Sequence, residues 1–144
     1  MMLVLLSMCC LLPQDSIAQE VQKLNGTWHV VRSETDGKDF SSRLKGYQYV
    51  FDGQFIKLLD AKGKAVLRSD NKPDERPFLI NVLTNPKTMD MTIQIKSKSF
   101  MSLGIYRLEG DELQLCFAEP GSQRPNAFQS KDGTTLIALK RAKK

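Results

Sequence analysis

Apolar and polar side chains alternate with a period of two along most of this chain. Met89-Asp90-Met91-Thr92-Ile93-Gln94-Ile95 sets Met, Met, Ile, Ile against Asp, Thr, Gln, the pattern of a half-buried antiparallel strand. Tyr47 to Phe51 alternates in the same way. Asp52-Gly53 is a hairpin turn signal, and Gln54 to Leu59 returns from it. Further strands are expected over Trp28–Ser33, Ala65–Leu67, Pro77–Leu83, Ser102–Leu108, Leu113–Phe117 and Thr134–Leu139. Lys62-Gly63, Asn85-Pro86-Lys87, Glu109-Gly110-Asp111 and Asp132-Gly133 punctuate them. Ser69–Arg76, which holds Pro73, and the longer Pro120–Asn126 read as loops. Helical periodicity is confined to a single turn at Glu20–Leu24. Eight or nine sequential strands with tight links predict an all-β antiparallel meander, either stacked as a sandwich or closed into a barrel.

The N-terminus departs from this pattern. Met2 to Leu12 is a continuous run that is apolar except for Ser7, shorter than the ~20 residues needed to span a bilayer but suited to the apolar core of a secretory signal peptide. Small residues at Ser16 and Ala18 place the expected cleavage after Ala18, so that residues 1–18 are a signal peptide and 19–144 the folded domain. A lipoprotein anchor at Cys9 or Cys10 is the weaker alternative, because Met8 stands where a small residue is expected. Removing 18 of the 144 residues leaves 126, with no membrane-spanning segment. It takes away Asp15 and no base, which raises the net charge from +5 to +6. Cys116 is then the one remaining cysteine, so the exported domain has no internal disulfide and rests on its core.

Gly26-Thr27-Trp28, at the start of the first strand, resembles the Gly-x-Trp signature of lipocalins and related barrels. The resemblance implies that Trp28 plugs the closed end of an up-and-down barrel of about eight strands, beside Gly26. It also implies that a basic residue near the end of the last strand packs over the indole; Arg141 stands there, with Lys140 as the alternative. The wider chain resembles a family of small exported lipocalin-like domains, abundant in planctomycete bacteria and without an assigned function. That likeness rests on Leu24-Asn25-Gly26-Thr27-Trp28, Asp36-Gly37-Lys38, Leu44-Lys45-Gly46, Val50-Phe51-Asp52-Gly53 and Pro86-Lys87-Thr88-Met89-Asp90. It continues through Gly104 to Asp111, Leu115 to Gly121 and Arg124-Pro125. It implies a cell-envelope setting, periplasmic or extracellular, and no particular activity.

Candidate chemistry is sparse. His29 is the only histidine, and as the neighbour of Trp28 on a strand it faces the opposite side. No nucleophile motif accompanies it or Cys116, and the pairs Glu109/Asp111 and Asp74/Glu75 lie in turns and loops. No catalytic residues are therefore assigned; a small hydrolase is the least favoured reading. One His and one mature-chain Cys give no metal-ligand spacing, and no phosphate-cradling glycine motif is present, so no metal or cofactor is expected. Asn25-Gly26-Thr27 matches a glycosylation sequon formally, but the barrel's entry turn explains the same residues. Lys87, Lys96, Lys98, Lys131, Lys140, Arg141, Lys143 and Lys144 could attract an anionic envelope component; nucleic acid is not expected for an exported protein.

The leading expectation is a monomeric, non-enzymatic barrel that binds a small hydrophobic or amphipathic ligand. Trp28 would seal its floor, and Tyr47, Tyr49, Phe55 and Tyr106 would line its wall. Arg124, in the loop from Glu119 to Phe128, would hold a carboxylate or phosphate, or else staple the loop by pairing with Glu119. The alternative is a filled-core interaction module that recognises an envelope protein or anionic glycan through its loops and basic surface. An internal pocket of a few hundred Å³ would favour the first.

Overall fold

A computed structural model of the protein describes residues 13–143. The apolar run Met2–Leu12, with Cys9 and Cys10, lies outside the described residues. The described chain is one helix followed by nine strands, eight of which close into an antiparallel barrel.

The helix, α1, spans Pro13–Leu24. Its opening proline needs no intrahelical N–H partner at that position. It is longer than the single turn read from the sequence; Ile17, Ala18 and Gln19 are exposed, so that stretch gives no apolar stripe to read. Glu20 and Leu24, one turn apart, are buried. The helix ends as Asn25 N–H donates to the Val21 carbonyl (3.0 Å) and Gly26 takes φ +127°, a conformation that side-chain-bearing residues rarely adopt.

The strands are β1 (Gly26–Thr35), β2 (Lys38–Asp39), β3 (Gln48–Asp52), β4 (Phe55–Leu59), β5 (Glu75–Asn81), β6 (Lys87–Ile95), β7 (Lys98–Glu109), β8 (Glu112–Ala118) and β9 (Thr134–Arg141). From β3 to β9 each strand pairs with the next. β1 closes the ring, pairing with β3 on one side and with β9 on the other. β2 is a two-residue hairpin return from the end of β1. Closure leaves the eight barrel strands no free edge.

Two expectations about strands are corrected. Ala65–Leu67 is not a strand: it makes only the isolated bridges Leu59↔Ala65 and Leu67↔Pro73, within a connection that folds on itself around Lys62-Gly63 and Asp70-Asn71. β5 begins at Glu75 and ends at Asn81, earlier at both ends than Pro77–Leu83. Pro77 is tolerated inside it because the adjacent Phe78 N–H makes the bond on that side, donating to the carbonyl of Gln54 just before β4 (2.9 Å).

A bulge in β1 decides which side chains fill the barrel. Trp28 and Val30 point inward, the register shifts between Val30 and Arg32, and Ser33 and Thr35 point inward thereafter. Val31 is left exposed. Inside, Trp28, Phe51, Ile56, Phe78, Met89, Tyr106, Leu113, Leu115 and Leu139 form a continuous buried core. Phe51 and Phe78 meet edge to face at 5.5 Å. Gly104 also points inward, opposite Phe117. A Cβ on Gly104 would lie 2.7 Å from Phe117 Cε1 and 2.9 Å from the Cys116 carbonyl oxygen, so the Phe117 ring occupies the space that a side chain would need.

Candidate functional site

The two ends of the barrel differ. At one end α1 covers the opening. Trp28 Nε1–H donates to the Leu24 carbonyl (2.8 Å). Arg141, opposite Trp28 in the β1–β9 register, sets its guanidinium carbon 4.2 Å from the ring centroid. Its Nη2 donates to the Lys23 carbonyl (2.7 Å) and its Nη1 to the Asn25 carbonyl (3.1 Å), satisfying acceptors that the helix C-terminus leaves open. Lys140 is exposed on the outer face. Glu20 reaches in from α1 and accepts from Tyr106 Oη (3.0 Å) and Lys87 Nζ (2.9 Å). Burial, and then the adjacent Glu20 charge, push the Tyr106 hydroxyl far above its ordinary pKa.

At the other end the filling stops short. A cavity of about 220 Å³ opens there, walled by the apolar side chains of Met91, Ile93, Phe117 and Ile137 and by the polar Tyr49, Arg76, Ser102 and Thr135. Glu119 and Pro120 form part of its rim. Strand alternation places these residues: Arg76 lies directly across from inward-facing Ile56, and Met91 directly across from Phe78. Arg76 Nε and Nη2 donate to the Asp74 carboxylate at 3.0 and 2.9 Å. Nη1 is left as a donor without an acceptor among the described residues. Burial opposes the Arg76 charge, but the hydrogen bond and negative charge of Asp74 outweigh it, so its pKa is raised. The Tyr49 hydroxyl is also raised, first by burial. Ser102 Oγ donates to the Ala118 carbonyl (2.7 Å), and the Thr35 and Thr135 hydroxyls bond each other at 3.0 Å. The cavity is thus an apolar pouch with one paired cation and one protonated phenol in its wall.

Of the residues expected to touch a ligand, only Tyr49 lines this cavity. Trp28 and Tyr106 belong to the packed floor, and Tyr47 packs against the core from the connection before β3. Phe55 is corrected outright. The Asp52-Gly53 turn puts Ile56 and Leu58 inside, so Phe55 faces solvent, 43% exposed. Arg124 is also elsewhere. It lies on the outer wall, where both terminal nitrogens donate to the Asp90 carboxylate and Nη1 also donates to the Gly104 carbonyl (2.8 Å). It staples the Glu119–Phe128 loop to β6 and β7 through Asp90, not through Glu119. Beneath that loop Cys116 faces outward and is fully buried, its Sγ donating to the Gln129 carbonyl (3.4 Å). Burial raises the thiol pKa, so the reactive thiolate is scarce. Arg107 stacks over Phe128 at 5.0 Å from the other side of the loop.

Sequence reasoning missed Arg76, which it had assigned to a loop. The inward face of Met91 and Ile93 was visible as alternation, but not as a cavity wall. His29 is exposed on the outer face. Among the described residues no group of three or more His, Cys, Asp or Glu side chains could hold a metal ion, and no helix is long and apolar enough to cross a membrane. No protein family, curated protein or solved structure matches the chain.

Proposed function

We propose that this protein is an exported, non-enzymatic, lipocalin-like barrel that binds a small amphipathic ligand at its mouth, in the cell envelope. The observation that carries this reading is the unequal filling of the barrel: a packed floor at the α1 end and a cavity of about 220 Å³ at the other. The cavity is smaller than the ~300–1,000 Å³ of sites for drug-sized molecules, which argues for a small ligand. Its apolar wall takes a short hydrocarbon portion, and Arg76 Nη1 and the Tyr49 hydroxyl offer hydrogen bonds to one polar group. Because Asp74 already neutralises Arg76, an uncharged acceptor is accommodated as readily as an anion. The exposed position of His29 and the buried, protonated state of Cys116 support a binding role over a hydrolytic one. The Gly26, Trp28 and Arg141 arrangement supports the lipocalin-like reading of the barrel.

The test is a titration of isotope-labelled protein with 1-hexanol and with hexanoate, followed by amide NMR shifts. Saturable shifts are expected at Tyr49, Ile93, Phe117 and Ile137, with none at Trp28 or Leu113. Arg76→Met should weaken both probes. Absence of saturable shifts at the mouth, together with no small molecule in native mass spectra of protein isolated from its own envelope, would overturn the reading in favour of an interaction module.

A further inference from the structure

The mouth end carries a second pattern that the cavity does not explain. The β4–β5 connection (60–74) and the β6–β7 turn (96–97) rise from this end side by side, since β5 pairs with β6. Large apolar side chains stand exposed on both: Leu67 at 56%, and Ile95 and Phe100, flanking the β6–β7 turn, at 49% and 38%. Ile95 continues the inward-facing row of β6 past Ile93, and Phe100 stands directly across from Ile93 at the rim.

Lysines interleave with these apolar tips. Lys62, Lys64, Lys72, Lys96 and Lys98 are all exposed, and none has a carboxylate partner among the ion pairs of the described residues. The acids nearby offset only part of this charge, Glu75 being exposed and unpaired among the described residues. Asp60 accepts the backbone N–H groups of Lys62 and Lys64 (2.8 and 3.0 Å). Asp70 pairs with Arg68 and Asp74 with Arg76. The β6–β7 turn itself holds no acid between Lys96 and Lys98. Five lysines stand here against the unpaired carboxylates of Asp60 and Glu75, so the free charge of these tips is net positive, and it surrounds isolated apolar side chains.

We propose that this end of the barrel docks on an anionic lipid bilayer. Leu67, Ile95 and Phe100 would enter the headgroup boundary, and the five lysines would meet lipid phosphates. The apolar residues sit on separate protruding tips rather than on one flat patch. That geometry suits a soft surface that admits side chains individually, whereas a protein partner needs a continuous face to exclude water. Positive charge contributes about 1 kcal/mol per Lys or Arg near an anionic leaflet, so five lysines against two unpaired carboxylates give a net salt-sensitive attraction. The surface goes beyond the ligand-binding reading and stands without it, although the cavity opens at the same end.

The test is co-flotation of the full chain with vesicles of phosphatidylcholine alone or mixed with phosphatidylglycerol. The apolar run at residues 2–12 is common to all variants, so differences between variants report on the tips. Binding is expected to be stronger to the anionic vesicles and to fall as salt approaches about 1 M. Lys96→Gln with Lys98→Gln should weaken it about 25-fold, or about fivefold per charge removed. Leu67→Ser with Ile95→Ser should weaken it further, whereas Leu83→Ser, an exposed apolar residue at the α1 end, should change nothing. Equal binding by wild type and tip variants overturns the proposal, as does equal binding to neutral and anionic vesicles. Capture by polyglutamate without binding to vesicles also overturns it, in favour of an acidic protein partner.

Discussion

Arg141 holds Trp28 and the end of α1 in one contact. Its guanidinium lies 4.2 Å above the indole while two of its nitrogens donate to the carbonyls of Lys23 and Asn25. A residue in the last strand thereby fixes the first strand and the helix that covers the barrel. The indole is fully buried, and its own N–H is satisfied by Leu24, so neither ring nor guanidinium leaves a buried polar group unmade.

Trp28→Ala should therefore lower the free energy of unfolding by about 3–5 kcal/mol, the usual loss for truncating a buried aromatic. Arg141→Ala should cost about 1–2 kcal/mol through the lost cation–π contact and hydrogen bonds. Arg141→Lys should recover only part, since an ammonium cannot reach both carbonyls while lying flat on the ring. Trp28 is the only tryptophan, so its fluorescence in a urea titration of the Arg141 variants reports on this contact directly; Trp28→Ala is followed by circular dichroism. Unchanged stability in Trp28→Ala would remove its role as a plug.

Gly104→Ala should destabilise the barrel by about 1–3 kcal/mol, the range for overpacking a filled core. The added methyl meets the Phe117 ring and the Cys116 carbonyl. Shortening the opposing side chain should relieve the clash with the ring, so the double variant Gly104→Ala, Phe117→Leu should be less destabilised than the sum of the two single changes. Additivity in thermal melts would show that the ring is not the obstacle.

The Arg124–Asp90 staple should control access to Cys116. With Cys9→Ser and Cys10→Ser as background, the native Cys116 thiol should react with a disulfide reagent at least about a hundredfold more slowly than in the unfolded chain, because it is buried and its pKa is raised. Arg124→Ala should speed the reaction while costing only about 1 kcal/mol of global stability, since the ion pair is partly solvated. An unchanged rate would mean that the loop stays closed through Arg107 and Phe128 alone.

Alkali should unfold the protein earlier than its lysine content suggests. Tyr49 and Tyr106 keep their protons above the ordinary phenol pKa in the folded state, whereas the unfolded chain releases them near pH 10. Above about pH 10 the folded state thus binds more protons than the unfolded one, and stability falls as pH rises. Tyr49→Phe and Tyr106→Phe should each flatten that fall, measured as urea midpoints between neutral pH and about pH 11; an unchanged slope would assign it to other groups.

The strand positions of Met89–Ile95 and Leu113–Phe117 were legible because a wall with one wet and one dry face imposes alternation directly on the sequence. Gly26, Trp28 and Arg141 were legible as a set through resemblance. β5 was misread at its start because the proline at position 77 and the charges before it resemble a loop, and only pairing with β4 shows that Arg76 turns inward. Phe55 was misplaced because an aromatic next to a turn gives no local sign of which face it takes. Thr35 lies outside the strand read from the sequence, and the bulge at Val31 reverses the parity of Ser33 in a way that period-two reading cannot register.

By itself the sequence determined an all-β chain of about eight alternating strands, an apolar N-terminal run, a single histidine and a basic surplus. Those properties are set by composition and by nearest neighbours. The tertiary structure alone decided that the sheet closes through β1 and β9, that Arg124 finds Asp90, that Cys116 lies under a loop, and that the barrel is filled at one end and hollow at the other. Each depends on residues far apart in the chain meeting in register, and that register is fixed by the volume and hydrogen bonding of the whole barrel rather than by any local segment.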